Sequence, residues 1–292
     1  MSGYLEGVLV LLAINVVFAY GAFLPLAAGQ LNLGLAGFAA IGAYCSAYLS
    51  TQFAVHPLIA IPLGALLSGL IALVVAVPVL RTRGIYLALA TFALGQITKA
   101  AILNLAFIGG AAGYPVPSYV GLPVVLAFAL GVAAVIPLLF ATRFGIAVRA
   151  VHDDERVADL MGVEVRGFQI AAFTLGAMIA GIGGGLYAHH FSYIEAQYFN
   201  VGLSITIVLY VLLGGTQTTI GPLIGAAIFT LLPELLRESA SWRYVVFAAG
   251  VIVLMVLRPQ GLLTRGVFRR LFDWRHSRAS ARDAESLAEH AA

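Results

Sequence analysis

Charge is scarce in this chain. Only 10% of its 292 residues are Asp, Glu, Lys or Arg and 61% are apolar, whereas soluble globular proteins carry roughly a quarter charged residues. With a mean hydropathy of +1.00, the composition excludes a soluble domain and defines an integral membrane protein. Cysteine is nearly missing. Cys45 stands alone in an apolar stretch, which rules out a disulfide framework within the chain and most cysteine metal sites. Lysine is equally rare: Lys99 is the single one, it follows Thr98, and no G-x-x-x-x-G-K-[ST] loop occurs. The chain therefore does not bind ATP through that motif. Acidic residues are almost absent from the apolar segments, and no Ser/His/Asp or paired-carboxylate arrangement lies within them. This argues against an enzyme and against a proton- or sodium-coupled carrier, both of which need ionisable groups at membrane depth. His189 and His190 are adjacent, so they do not point the same way on a helix, and they read as an interfacial pair at a helix end. Lys99, near the end of an apolar segment, reads as a snorkelling side chain. Sixteen basic against thirteen acidic residues leave a net charge of +3, and nothing implies nucleic acid.

Apolar stretches run over 7–28, 31–50, 57–80, 85–105, 121–141, 168–190, 201–213, 219–235 and 243–257. A hydrocarbon core about 30 Å thick takes helices of these lengths, and helices pair their backbone polar groups within one segment. The expected fold is all-α: a polytopic helical bundle of about nine crossings, within a range of eight to ten, with some helices broken or re-entrant. Two places carry that last expectation. Residues 201–213 span only about 20 Å as a helix, and Gly214-Gly215-Thr216-Gln217-Thr218-Thr219 separates them from the next segment. Gly29-Gln30-Leu31-Asn32-Leu33-Gly34 likewise breaks a long apolar run with two amides and two glycines. Broken helices at membrane depth line cavities; a tight turn at the interface fits the same residues. Small residues at four-residue spacing, such as Gly64/Ser68, Gly176/Ala180 and Gly181/Gly185, let helices pack closely where lipid gives no hydrophobic reward.

Arginine sets the orientation. Arg81 with Arg83, the segment from Arg143 to Arg166, and seven arginines from Arg258 to Arg282 belong on the cytoplasmic side. This places the N-terminus outside and the C-terminus inside, and the first span, with Glu6 and no basic flank, reads as retained. Residues 265–292 interleave arginine with aromatic residues before turning rich in Ala, Ser and charge. They read as a basic cytoplasmic tail that meets lipid headgroups and is partly disordered.

Residues 143–167 hold nine charged side chains, against four in the preceding 142. His152 or Asp153 is placed to cap a short helix, and Asp154 and Glu155 suit its first turn. Val157, Leu160 and Met161 recur at i, i+3 and i+4 as one narrow apolar stripe, and Gly162 can end the helix. Two readings fit this pattern: a stripe seeking a groove in a partner, or a surface helix resting on its own protein.

Four stretches, Gly29–Tyr44, Leu80–Ile97, Thr142–Val163 and Val211–Ala226, together with the closing Arg258–Leu263 (RPQGLL), resemble the LivM-type permease subunit of branched-chain amino acid ABC importers. The resemblance covers about residues 8–264 in order. It implies a permease domain over 1–264 in the bacterial inner membrane, a homologous second permease, separate ATPase subunits holding ATP and Mg, and an extracytoplasmic solute-binding protein. No cofactor is expected in this chain. The loop over Asp153, Asp154, Glu155, Arg156, Val157, Ala158, Leu160, Met161 and Gly162 is similar to the segment that docks on the ATPases. Uncharged side chains available to a solute path are Gln30, Asn32, Tyr44, Tyr86, Thr91, Gln96, Thr216 and Gln217. The chain departs from the family pattern at Asn32, Leu35, Gln96 and Gly109–Pro117. Relatives of the family carry urea, amides or aromatic acids besides branched-chain amino acids, so the solute stays open. The rival class is a self-sufficient secondary carrier or channel for small polar solutes.

Overall fold

The computed structural model describes residues 3–235, 248, 252 and 261–263. The apolar segment at 243–257 and the arginine-rich tail fall outside the described residues, apart from isolated positions. Helices α1 (Gly3–Ala27), α2 (Leu35–Gln52), α3 (Pro57–Val79), α4 (Ile85–Asn104) and α5 (Leu122–Ala141) follow the expected segments. Two short helices come next, α6 (Arg143–Asp153) and α7 (Glu155–Leu160), then α8 (Val165–Phe191), α9 (Val201–Gly214) and α10 (Gly221–Leu235). A two-residue ladder, β1 (Tyr114–Pro115) on β2 (Tyr193–Ile194), is antiparallel. Among the described residues, α1, α3, α4, α5 and α8 are long and apolar enough to cross a membrane, and α9 and α10 are shorter apolar helices. The fold is an all-α membrane bundle; the count of nine crossings is not reached among the described residues.

Small residues decide which helices touch. A Cβ on Gly42 of α2 would overlap the backbone of Gly181 on α8, and one on Gly64 of α3 would stand 2.5 Å from the Gly42 carbonyl. Ser68 Oγ lies 3.0 Å from the Phe38 carbonyl and 2.9 Å from that of Ala177. One hydroxyl thereby ties α2, α3 and α8 where their backbones are closest, which is the packing the small-residue spacing predicts. Helix α1 joins from the other side, since a Cβ on Gly21 would stand 3.0 Å from the Gly176 carbonyl. The face of α1 against α10 carries the amide Asn15, whose Nδ2 donates to Thr230 Oγ1 at 2.9 Å. In contrast, Leu66, Leu70 and Val74 of α3 and Leu130 and Leu138 of α5 are exposed, as lipid-facing or subunit-facing surfaces are.

Both ends of the bundle are built from named contacts. At one end Gln52 reaches the Tyr114 hydroxyl at 3.3 Å, and β1 and β2 close the connections after α4 and α8. His189 is fully buried there, with Nδ1 2.8 Å from Ser118 Oγ, and His190 Nδ1 lies 2.9 Å from the Val120 carbonyl. The pair sits at a helix end, as expected, and its work is to fasten the α4–α5 connection. The opposite end gathers the α3–α4 turn and the α5–α8 connection: Arg166 donates to the Val77 carbonyl at 3.1 Å, and Arg83 pairs with Glu155 at 3.3 Å.

Candidate functional site

The polar connection between α5 and α8 holds two helices, not one. Helix α6 starts at Thr142, whose hydroxyl accepts from Phe144 N. Its Ala147, Val148 and Val151 are buried, Phe144 packs against Phe140 and Phe168, and Arg149 donates to the Phe140 carbonyl at 3.1 Å. The sequence reading missed this helix because its apolar positions are mostly alanine and valine between charges. Asp154 then breaks the run in extended conformation and caps α7, accepting from Arg156 N at 2.8 Å and Val157 N at 3.1 Å. The cap is therefore Asp154, neither His152 nor Asp153: both of those are the last residues of α6, where φ and ψ are helical and a side chain cannot reach back over a new first turn. At the other end Gly162 adopts a left-handed φ of +80°, Gly162 N donates to the Asp159 carbonyl and Val163 N to that of Ala158. This glycine stop satisfies the last carbonyls of a helix only six residues long.

What α7 does with its two faces is plain. Ala158 is buried against the body of the protein. Leu160 is 87% exposed, Met161 80% and Val157 51%. A six-residue helix gains little from its own hydrogen bonds, yet this one is capped, stopped and braced: Glu155 receives Arg83 from the α3–α4 turn and Gln169 Nε2 from α8 at 2.8 Å. The apolar stripe expected from the sequence is thus held outward on an anchored element.

Behind α7 the first break in the apolar run folds back into the bundle. Pro25 O accepts from Ala28 N and Gln30 N, Gly29 takes a left-handed φ of +75°, and residues 30–34 form no regular structure before α2 begins at Leu35. Leu33 N donates to Thr91 Oγ1 at 3.0 Å, and Thr91 lies six residues, about 9 Å, into α4. Helix α2 therefore starts below the end of the bundle. Its exposed donors are met within the protein: Gly34 N donates to Asn32 Oδ1 at 2.8 Å and Ala36 N to Ser204 Oγ at 2.9 Å. Gly34 is needed for close approach, because a Cβ there would stand 2.6 Å from the Thr91 carbonyl. Gln30 and Asn32 are 2% and 1% exposed, and both polar atoms of Gln30 and the Asn32 Nδ2 have no partner among the described residues. Buried amides left unpaired cost free energy that a purely structural turn would not carry.

The structure brings Gln30, Asn32 and Thr91 together at this break. Tyr44 is buried along α2 with an unpartnered hydroxyl, beside the Phe199 ring. Tyr86, 71% exposed, stands apart on the first turn of α4, and Gln96 is half-buried further along it. Thr216 and Gln217, half-buried in the α9–α10 turn, share no recorded contact with the others; that turn is instead fixed by Leu262 N and Leu263 N donating to the carbonyls of Leu213 and Gly214. Sequence reasoning missed Ser204, Asn15 and Thr230. Asn15 carried a legible signal, being the one amide in its apolar run; the serine and threonine did not.

The geometry is that of a membrane bundle whose second helix starts inside the protein and which carries an anchored short helix with an outward apolar stripe. The profile of the family described as branched-chain amino acid transport system / permease component matches residues 4–257, and the chain belongs to this family. It is 27% identical over 80% of its length to the high-affinity branched-chain amino acid transport system permease protein LivM of Escherichia coli. It is 28% identical to the LivM protein of Salmonella typhimurium, and the matched region covers 64% of the length of either relative. It is also 32% identical over 49% of its length to the autoinducer 2 import system permease protein LsrC of Yersinia pestis, covering 43% of that protein. No solved structure matches the chain.

Proposed function

We propose that this chain is the transmembrane subunit of an ABC importer that moves branched-chain amino acids, or related small polar solutes, into the cytoplasm. It pairs with a homologous second permease, ATPase subunits drive it, and an extracytoplasmic binding protein feeds it. One observation carries the reading: α7 is capped by Asp154, stopped by Gly162 and braced through Glu155, while Leu160 and Met161 stand 87% and 80% exposed. Burying each of these side chains against a partner is worth roughly 1.5–3 kcal/mol, and the permease itself has no ATP loop. The arginines support the orientation, because Arg81, Arg83, Arg156 and Arg166 line one cavity at the α7 end, and that end is then cytoplasmic. Gln30 and Asn32 lie on the solute path, where their unpaired amides meet solute or water in an open state; Gln217 serves the second break in the same way. ATP-driven closure of the ATPases moves α7, and through it the α3–α4 turn and α4, against the broken segment.

The test is Leu160→Asp in the assembled transporter. Solute-stimulated ATP hydrolysis is lost and the ATPase no longer co-purifies, while the chain still inserts. Retention of both would return the stripe to packing within this chain.

A further inference from the structure

We infer that a second binding site, for a free zwitterionic α-amino acid, lies against the polar side of α7. This deepens the proposed function and rests on it only for the consequence of binding. The cavity there has a volume of about 520 Å³ and is walled by the α3–α4 turn, the break after α1, α7 and the start of α8. Glu155, Arg156 and Asp159 face it, whereas Val157, Leu160 and Met161 do not. At 100° per residue the two sets centre on different sides of one short helix, with Arg156 and Leu160 adjacent at their boundary, so a partner seated on the stripe would border the cavity without filling it.

Exposed charges of both signs meet at the rim of the cavity. Arg81, Arg156 and Arg166 share it with Asp159 and Glu164, yet among the described residues the one ion pair in contact is Arg83–Glu155. Opposite charges that line one space without touching leave room for a ligand carrying both signs. A carboxylate suits the guanidinium donors, which hold it by charge-assisted hydrogen bonds, and an ammonium suits Asp159 or Glu164. Leu80, Leu87 and Val165 supply an apolar wall for a small side chain. Gln30, buried and with its amide unpartnered, borders the same cavity. A simple anion such as a phosphate or a lipid headgroup leaves the carboxylates unmatched and repelled.

An occupant would bridge the α3–α4 turn to the polar face of α7. It would hold the docking helix in one position, so accumulated amino acid on the α7 side slows the ATPase cycle. The site thus reads the product concentration.

The experiment measures calorimetric binding of L-leucine, isocaproate (no ammonium) and isoamylamine (no carboxylate) to the purified full chain in nanodiscs. A parallel assay follows ATP hydrolysis by the complete transporter with leucine on the α7 side. Leucine binds, each analogue binds about tenfold or more weakly, and Arg81→Gln and Glu164→Gln each weaken leucine by about the same factor. Leucine lowers ATP hydrolysis in the wild type and not in Arg81→Gln. Equal binding of isocaproate would make the cavity an anion site and overturn the inference, as would leucine binding indifferent to both substitutions. Binding without any change in hydrolysis overturns the regulatory role. Failure of the docking assignment is separate: it shows in Leu160→Asp and leaves leucine binding to the purified chain intact.

Discussion

Thr91 offers the sharpest test of how the broken segment is held. Its hydroxyl accepts from Leu33 N at 3.0 Å and lies 3.0 Å from the carbonyls of Leu87 and Ala88, to one of which it donates. Thr91 is fully buried, so Thr91→Val keeps shape and β-branching but strands the Leu33 N–H without water. An orphaned buried donor costs about 1–3 kcal/mol. Hydrogen bonds removed inside membrane proteins average only about 0.6 kcal/mol, because the unfolded chain also finds partners in lipid. The expected loss lies between these, about 1–2 kcal/mol, since residues 30–34 are not helical and offer Leu33 N no helical carbonyl. Thr91→Ser keeps the acceptor and should recover most of it. The assay is equilibrium unfolding of the purified protein in mixed micelles, read by circular dichroism, with transport measured alongside. Thr91→Val as stable as Thr91→Ser would refute the reasoning, because it would mean that the hydroxyl does not hold the break.

Asp154→Ala removes the cap of α7 and should cost about 0.5–2 kcal/mol locally; co-purification of the ATPase falls, and Asp154→Asn restores it because the amide oxygen accepts the same two N–H groups. Gln30→Leu and Gln217→Leu should each lower solute uptake while the assembled complex survives, and normal uptake in both would make these amides structural. With Cys45 replaced, a cysteine at Leu160 should react with an impermeant thiol reagent only in inside-out vesicles and one at Tyr119 only in intact cells lacking an outer membrane barrier; the reverse pattern would invert the topology.

Some features of the bundle were legible because they are properties of consecutive residues. The apolar runs that became α1, α3, α4, α5 and α8 needed only length and composition, and the stripe of Val157, Leu160 and Met161 needed only helical periodicity. The glycine that stops α7 was equally visible, since a left-handed residue after an apolar repeat is most often glycine. Other features depend on what the chain meets far away in sequence. That Thr91 serves Leu33 and not solute alone, that Ser204 completes the start of α2, and that His189 fastens the α4–α5 connection all follow from contacts across helices. Periodicity carries no record of a partner that distant. The sequence by itself determined a membrane helical bundle, its breaks and its apolar stripe, because burial in lipid and helical repeat act locally; that the stripe faces outward came from the structure. Only the tertiary structure decided that the first break folds back beside Thr91, that Asp154 is the cap, and that arginines from two loops meet across one cavity behind α7. Those outcomes are set by the close packing of α2, α3 and α8 through glycine and serine, which fixes where every connection must land.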